Sequence, residues 1–203
     1  MPKIGLKLTI PFQQDAMVSS YLGADGRSLK IKIKQVKKKQ EPSIVLNPVN
    51  PKAQTGTKRV VIDAGHGGTD TGAIGGGINE KDITLDVAKR VEKLLRQKGY
   101  EIKMTRADDT YVSLQERVEI SEEYSPDIFV SIHVNSSVKP EITGVETHYY
   151  HQESMELAQT VHSSFASAIQ SPNRGLFKSK FYVINHTTSP AILIEIGFIS
   201  NCN

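Results

Sequence analysis

The chain has 203 residues, of which 38% are hydrophobic and 23% charged; this excludes an intrinsically disordered chain and accommodates one full-sized domain with a small appendage. Its formal net charge of +3 favours acidic polymers only weakly, because much of the positive excess lies in residues 30–39, and we expect no nucleic-acid partner. No stretch reaches the roughly 18 consecutive apolar residues of a membrane span, and residues 1–20 lack the apolar core of a signal peptide.

Residues 1–37 are predicted to form a β-rich segment. Apolar and polar side chains alternate at residues 6–12 and again at residues 29–33, and Gly23 and Gly26 supply turn chemistry between the two runs. We interpret this segment as a β-hairpin or as the last strands of an all-β module. Residues 38–57 are polar, contain three prolines and show no regular period, which is typical of a linker.

Residues 58–203 alternate between strand and helix patterns. Strand patterns occur at residues 59–63, 102–105, 127–133, 144–150 and 191–196. The intervening helix patterns are residues 81–98, a helix opened by the capping box Ser113 and Glu116, and a helix with Leu157, Val161 and Phe165 on one face. This order predicts an α/β fold with a twisted, mostly parallel sheet flanked by helices.

Two histidines follow predicted central strands. His66 lies in a glycine-rich loop directly after the first strand of this domain, and His133 ends the apolar run that begins at Ile128. Ligands bind at the carboxyl ends of strands in open α/β sheets, so the two imidazoles are expected to converge. Either histidine taken alone is also compatible with a solvated loop side chain, and the loop lacks the ending of a phosphate-binding motif.

Two carboxylates complete the candidate set. Glu80 precedes the first helix of the domain and is either a metal ligand beside the histidines or an acidic residue that complements the helix dipole. Glu195 lies between Ile194 and Ile196, where burial would cost several kcal/mol without a cation or a hydrogen-bond partner; its alternative is an edge position that faces solvent. Imidazole and carboxylate are ligands that zinc prefers, and a catalytic zinc keeps one position for water.

Five motifs then occur in series, at residues 62–68 (IDAGHGG), 79–81 (NEK), 105–106 (TR), 131–135 (SIHVN) and 195–201 (EIGFISN). In identity, order and spacing they resemble the zinc-dependent N-acetylmuramoyl-L-alanine amidases, and the resemblance covers residues 58–203. It implies that His66, Glu80 and His133 hold one zinc ion and that Glu195 is the catalytic glutamate.

The resemblance also implies a substrate and a location. The expected reaction is hydrolysis of the amide between N-acetylmuramic acid and the L-alanine of the peptidoglycan stem peptide, for cell-wall remodelling or cell separation. The expected place of action is the cell envelope, periplasmic or extracellular, where envelope regulators are conceivable partners. The alternatives are a zinc peptidase that acts within the stem peptide and an inactive peptidoglycan-binding module on the same fold.

Several positions differ from the family pattern or remain open. Some relatives carry an inserted helix that covers the zinc site, but only residues 151–154 separate the predicted strand from the next helix here, so we expect an open site. The family usually continues into one more helix after the last motif. Residues 1–37 resemble the end of the β-rich targeting module that precedes the amidase in some envelope proteins. Glu146 is either a substrate or supporting group or a surface glutamate, and Arg106 and Arg117 are expected to form structural ion pairs.

Overall fold

The computed structural model describes residues 16–22, 29–35, 57–169 and 171–201. By the distribution of contacts the chain divides into two compact units, Met1–Thr55 and Gly56–Asn203. The strand predicted at residues 6–12 and the linker residues 38–56 lie outside the described residues.

The described part of the first unit is a pair of antiparallel strands, β1 (Ala16–Leu22) and β2 (Leu29–Gln35). The register pairs Leu22 with Leu29, so the predicted turn residues lie between the strands in sequence. The alternating run at residues 29–33 is therefore part of β2, as its period of two predicts.

The second unit contains the remaining strands and all four described α-helices. In chain order they are β3 (Arg59–Ala64), β4 (Ile74–Gly75), β5 (Ile78–Asn79), α1 (Glu80–Gln97), β6 (Glu101–Met104), α2 (Leu114–Tyr124), β7 (Ile128–Asn135), β8 (Val145–Tyr149), a 3-10 turn (Gln152–Ser154), α3 (Met155–Ala168), β9 (Asn173–Lys178), α4 (Tyr182–His186) and β10 (Ala191–Phe198).

Six of these strands form the central sheet, in the order β6-β3-β7-β10-β8-β9. The pairs from β6 to β10 are parallel, β8 runs antiparallel to β10, and β9 runs parallel to β8. The prediction of a mostly parallel sheet flanked by helices is confirmed. The carboxyl ends of β3, β7 and β10 consequently meet at one edge.

Helices cover both faces of this sheet. On one face α1 and α3 pack against alternate strand residues such as Val60, Ile62 and Ile192. On the other face, Val183 and Ile184 of α4 form a cluster with the intervening strand residues, whose side chains point away from α1 and α3. Burial on both faces explains why the central strands are continuous apolar runs in the sequence.

The helix predicted at residues 81–98 is observed as α1. Leu85, Val91 and Leu95 pack beside the buried Ala88 against the sheet, because these apolar positions recur at helical spacing. Gly99 follows the helix with a φ of 86°, a left-handed conformation that glycine adopts without a Cβ clash. None of the described helices combines the length and apolar character needed to span a membrane.

The predicted capping box is present at the start of α2. The Ser113 hydroxyl accepts a hydrogen bond from the Glu116 backbone at 3.2 Å, and the Glu116 carboxylate accepts one from the Ser113 backbone at 2.7 Å. Two amides that the helix leaves unpaired are thereby satisfied.

Beneath the sheet edge, a buried ion pair joins α2 to β3. Arg117 Nη1 lies 2.6 Å from Asp63 Oδ1, and the same carboxylate accepts hydrogen bonds from Ser131 and Thr105. Burial alone would raise the pKa of Asp63, but the Arg117 charge and these hydrogen bonds together hold it below its ordinary value. The ion pair expected for Arg117 is therefore observed.

We expect Arg117→Met to lower the free energy of unfolding by about 3–5 kcal/mol, because it leaves the buried Asp63 carboxylate unpaired. Asp63 has a depressed folded-state pKa, so its pairing stabilises the fold above the ordinary carboxyl pKa of about 3.9 and the loss should shrink in acid. Urea unfolding at neutral and acidic pH measures both effects. Arg90→Met, which breaks an exposed pair with Asp86, is the control and should cost about 0.3–0.5 kcal/mol; equal losses in the two variants would contradict the argument.

Candidate active site

The loop after β3 brings His66 to the edge of the sheet. His66 has a φ of 62°, which is uncommon for a residue with a side chain. The preceding Gly65 donates its backbone N–H to Ile132 at 3.0 Å, and a Cβ on Gly65 would lie only 2.4 Å from the His133 ring. Glycine at this position therefore allows β3 and β7 to present two imidazoles side by side.

Two buried arginines hold the backbone of this loop. Arg106 donates to the carbonyls of Ala64 and Gly65, each at 2.9 Å, and Arg117 donates to the carbonyl of His66 at 2.7 Å. These bonds satisfy carbonyls that the end of β3 leaves unpaired. Arg106 thus supports the backbone through hydrogen bonds, where an ion pair had been expected from the sequence.

His66, Glu80 and His133 lie together although they are far apart in the sequence. One potential ligand atom from each residue lies within 4.8 Å of the other two. Glu80 Oε2 is 3.2 Å from His66 Nε2, Glu80 Oε1 is 3.0 Å from His133 Nδ1, and the two imidazole rings are 4.9 Å apart in an edge-on arrangement. Among the described residues this is the group that could hold a metal ion.

Glu80 is the first residue of α1 and is only 4% exposed. Its carboxylate accepts backbone N–H bonds from Ala73 and Val134, both at 2.9 Å. Burial would raise the pKa of Glu80, but hydrogen bonds from His133, His66 and these amides lower it far below its ordinary value. The carboxylate is therefore charged and fixed in direction, and Gly72 is packed so closely that a Cβ there would lie 2.6 Å from Oε2.

Asp70 orients His66 from the far side. His66 Nδ1 and Asp70 Oδ2 are 2.8 Å apart, a pairing that favours a proton on Nδ1 and leaves Nε2 directed at Glu80. Burial would lower the pKa of His66, but the Glu80 and Asp70 carboxylates raise it. The sequence motifs do not single out Asp70, whose only signal is its position four residues after His66.

This arrangement fits a divalent metal. Two imidazoles and one carboxylate supply three ligands of the type that zinc takes in catalytic sites. A histidine that binds a metal through one ring nitrogen usually donates its other ring N–H to a carboxylate. Asp70 is placed to accept such a bond from His66. The excess of negative charge around the two histidines also suits a cation.

Glu195 enters the same cleft from β10. It is paired in register with His133 of β7 on one side and with Glu146 of β8 on the other. The residue is 8% exposed, which rules out the solvent-facing alternative, and Oε2 is buried without a hydrogen-bond partner among the described residues. Burial, together with the nearby carboxylates, raises the pKa of Glu195 to about 7.

Glu146 is buried rather than exposed at the surface. Its carboxylate bonds the Arg174 guanidinium and accepts a hydrogen bond from Asn135 at 3.2 Å. His148 Nε2 lies 3.4 Å away, and burial lowers the pKa of His148. Glu146 thus links β7, β8 and β9 behind Glu195 and is part of the support of the site.

A cleft of about 310 Å³ contains the whole group. Its lining contains the side chains of His66, Glu80, His133 and Glu195. Asn135 and Ser136, together with apolar or aromatic side chains that include residues of α2, α4 and β10, also line it. Phe181 and Tyr182 belong to the segment around α4, a helix that the sequence patterns did not predict. The connection from β8 to α3 contains only the short 3-10 turn.

Comparison with known proteins places these features in a family. Residues 60–203 match the family described as N-acetylmuramoyl-L-alanine amidase. The Bacillus subtilis (strain 168) protein YqiI is 43% identical over 148 residues, which are 71% of this chain and 71% of that protein. The N-acetylmuramoyl-L-alanine amidase LytC of the same organism is 38% identical over 148 residues, which are 71% of this chain but 30% of LytC. The chain thus spans less than a third of LytC.

Solved structures agree with the sequence comparison. The catalytic domain of CwlV, an N-acetylmuramoyl-L-alanine amidase from Bacillus (Paenibacillus) polymyxa var. colistinus, has a TM-score of 0.70 and 42% identity, and the match covers 71% of this chain and 83% of that chain. The N-acetylmuramoyl-L-alanine amidase AmiC2 of Nostoc punctiforme also has a TM-score of 0.70 and 42% identity, over 73% of this chain and 83% of that chain. The resemblance seen in the sequence is confirmed: the chain belongs to the N-acetylmuramoyl-L-alanine amidase family.

Proposed function

We propose that this protein is a zinc-dependent amidase that hydrolyses the bond between N-acetylmuramic acid and the L-alanine of the peptidoglycan stem peptide. The observation that carries the proposal is the meeting of His66, Glu80, His133 and Glu195 in one cleft at the carboxyl edge of the sheet. Membership of the amidase family supports the choice of bond.

Each residue has a distinct part in the proposed reaction. His66, Glu80 and His133 would hold the zinc ion, which when bound supplies a Lewis acid for the amide carbonyl and lowers the pKa of water from 15.7 towards ~7. Glu195 accepts a proton from the attacking water and donates it to the leaving alanine nitrogen. Its buried carboxylate lines the same cleft as the three proposed ligands and is paired in register with His133, so one side chain can serve both transfers.

The named relatives support a role at the cell wall. LytC of Bacillus subtilis is named an N-acetylmuramoyl-L-alanine amidase, and LytH of Staphylococcus aureus, 37% identical over 147 residues, is named a probable cell wall amidase. We therefore propose action on peptidoglycan in the envelope, outside the cytoplasmic membrane, in wall remodelling or cell separation. All four proposed site residues are present, which argues against an inactive binding module.

The reaction is tested by release of dye from labelled peptidoglycan and by mass spectrometry of the soluble products. We expect free stem peptides that begin with L-alanine, a loss of release with a zinc chelator and recovery when zinc is added. Cleavage within the stem peptide would favour the zinc peptidase instead. A folded, zinc-loaded sample that releases nothing would overturn the proposed activity and favour the binding module.

A further inference from the structure

Part of the cleft lining has no role in the proposed chemistry. It includes Phe181 and Tyr182, which we call the aromatic wall, and Asn135 and Ser136 line the same cleft. Both rings are substantially exposed, Phe181 at 42% and Tyr182 at 38%. Two neighbouring aromatic rings exposed inside a cleft are typical of a surface that a ligand covers.

The aromatic wall is held in place before any ligand binds. The next two residues of α4, Val183 and Ile184, are buried in the core. Phe181 packs edge-on against His148 with ring centres 5.0 Å apart, and Tyr182 stacks on His186 at 3.9 Å. Because the rings are already ordered, a ligand that covers them loses little affinity to side-chain ordering.

Charge narrows the chemistry of this ligand. The cleft contains the carboxylates of Glu80 and Glu195, and no lysine or arginine lines it within the described part of the chain. No basic side chain of the lining is therefore available to pair with the carboxylates of an acidic peptide segment. A neutral ring with an apolar face and polar edges suits the cleft better, since the aromatic wall can cover the face while Asn135 and Ser136 bond the edges.

We infer that the aromatic wall binds the pyranose ring of N-acetylmuramic acid, the sugar that carries the scissile amide. This inference rests on the proposed function. In that substrate a short ether link joins the sugar ring to the carbonyl that is attacked, so the ring must lie in or beside the cleft when the amide reaches Glu195. The C–H face of a pyranose packs against aromatic rings, so Phe181 and Tyr182 can cover one face of the sugar.

The test compares two soluble substrates on the zinc-loaded protein. One is an N-acetylmuramoyl peptide, and the other is the matching lactyl peptide, which keeps the scissile amide but lacks the sugar. We expect wild type to have the lower KM for the sugar-bearing substrate. Phe181→Ala and Tyr182→Ala should each raise that KM by about two- to tenfold with little change in kcat, and should leave the kinetics of the lactyl peptide unchanged.

Tyr100→Ala is the matched control, because Tyr100 is similarly exposed at 37% but lies outside the cleft lining. It should change neither KM. The role of the aromatic wall would be overturned if Phe181→Ala and Tyr182→Ala affected the two substrates equally, or affected neither. Either result would leave the amidase activity established. A wild-type protein that cleaves neither substrate would instead overturn the proposed function and this inference with it.

Discussion

Replacing Glu195 with glutamine is expected to lower turnover on peptidoglycan by about 10² to 10⁴, the usual contribution of a general acid-base group, while zinc content stays at the wild-type level. Glutamine keeps the size of the side chain and its place beside His133, but it cannot accept and return a proton. Stopped assays of product release, with metal analysis of the same sample, measure the two quantities together.

The matched control for this variant is Glu101→Gln. Glu101 is an exposed strand carboxylate at the start of β6, away from the cleft, and its loss should leave turnover unchanged. If Glu195→Gln retained turnover within about tenfold of wild type, Glu195 would not be the proton carrier. If it lost zinc together with turnover, its role would lie in metal binding instead.

Replacing Glu80 with glutamine is expected to weaken zinc binding by more than about 100-fold, beyond the 10- to 100-fold typical of outer-sphere partners, and to abolish turnover at limiting zinc. The Glu80 carboxylate is the negatively charged member of the ligand group and lies within 3.2 Å of both imidazoles. The neutral amide of glutamine is a poorer metal ligand than the carboxylate of glutamate. Its NH2 group would also face N–H groups that donate hydrogen bonds to this position and cannot accept them. Competition with a chromophoric chelator measures the affinity.

Asp82→Asn provides the matched control on the same helix. Asp82 is an exposed carboxylate in the first turn of α1, two positions beyond Glu80, so it shares the helix-dipole environment but not the cleft. We expect its zinc affinity to equal that of wild type. Unchanged affinity in Glu80→Gln would leave the helix-dipole interpretation of Glu80 as the better one.

The sequence by itself determined the class of fold and the family. Continuous apolar runs specified the central strands, helical spacing specified α1 and α3, and a serine with a glutamate three residues later specified the start of α2. These signals are local, because each depends on residues within one or two turns or one strand. Five short motifs in the correct order then identified the amidase family, and they contain the four residues proposed for the site.

Local patterns were too weak to predict several short or exposed elements of the second unit. β9 is largely exposed, with no buried residue, and α4 has five residues, fewer than a hydrophobic period needs to become visible. The same limit concealed the hairpin of β4 and β5, which has two residues in each strand. Phe181 and Tyr182, which carry the inference about the sugar ring, belong to this part of the chain.

Only the tertiary structure decided how the site residues act on one another. The charged state of Glu80 depends on hydrogen bonds from His133 and His66 and from the amides of Val134 and Ala73. The burial of Glu195 depends on its register between β7 and β8. The support of the His66 loop by Arg106 and Arg117 joins residues more than 40 positions apart. Such contacts arise from the folding of distant segments onto one sheet edge, so no single stretch of the sequence contains them.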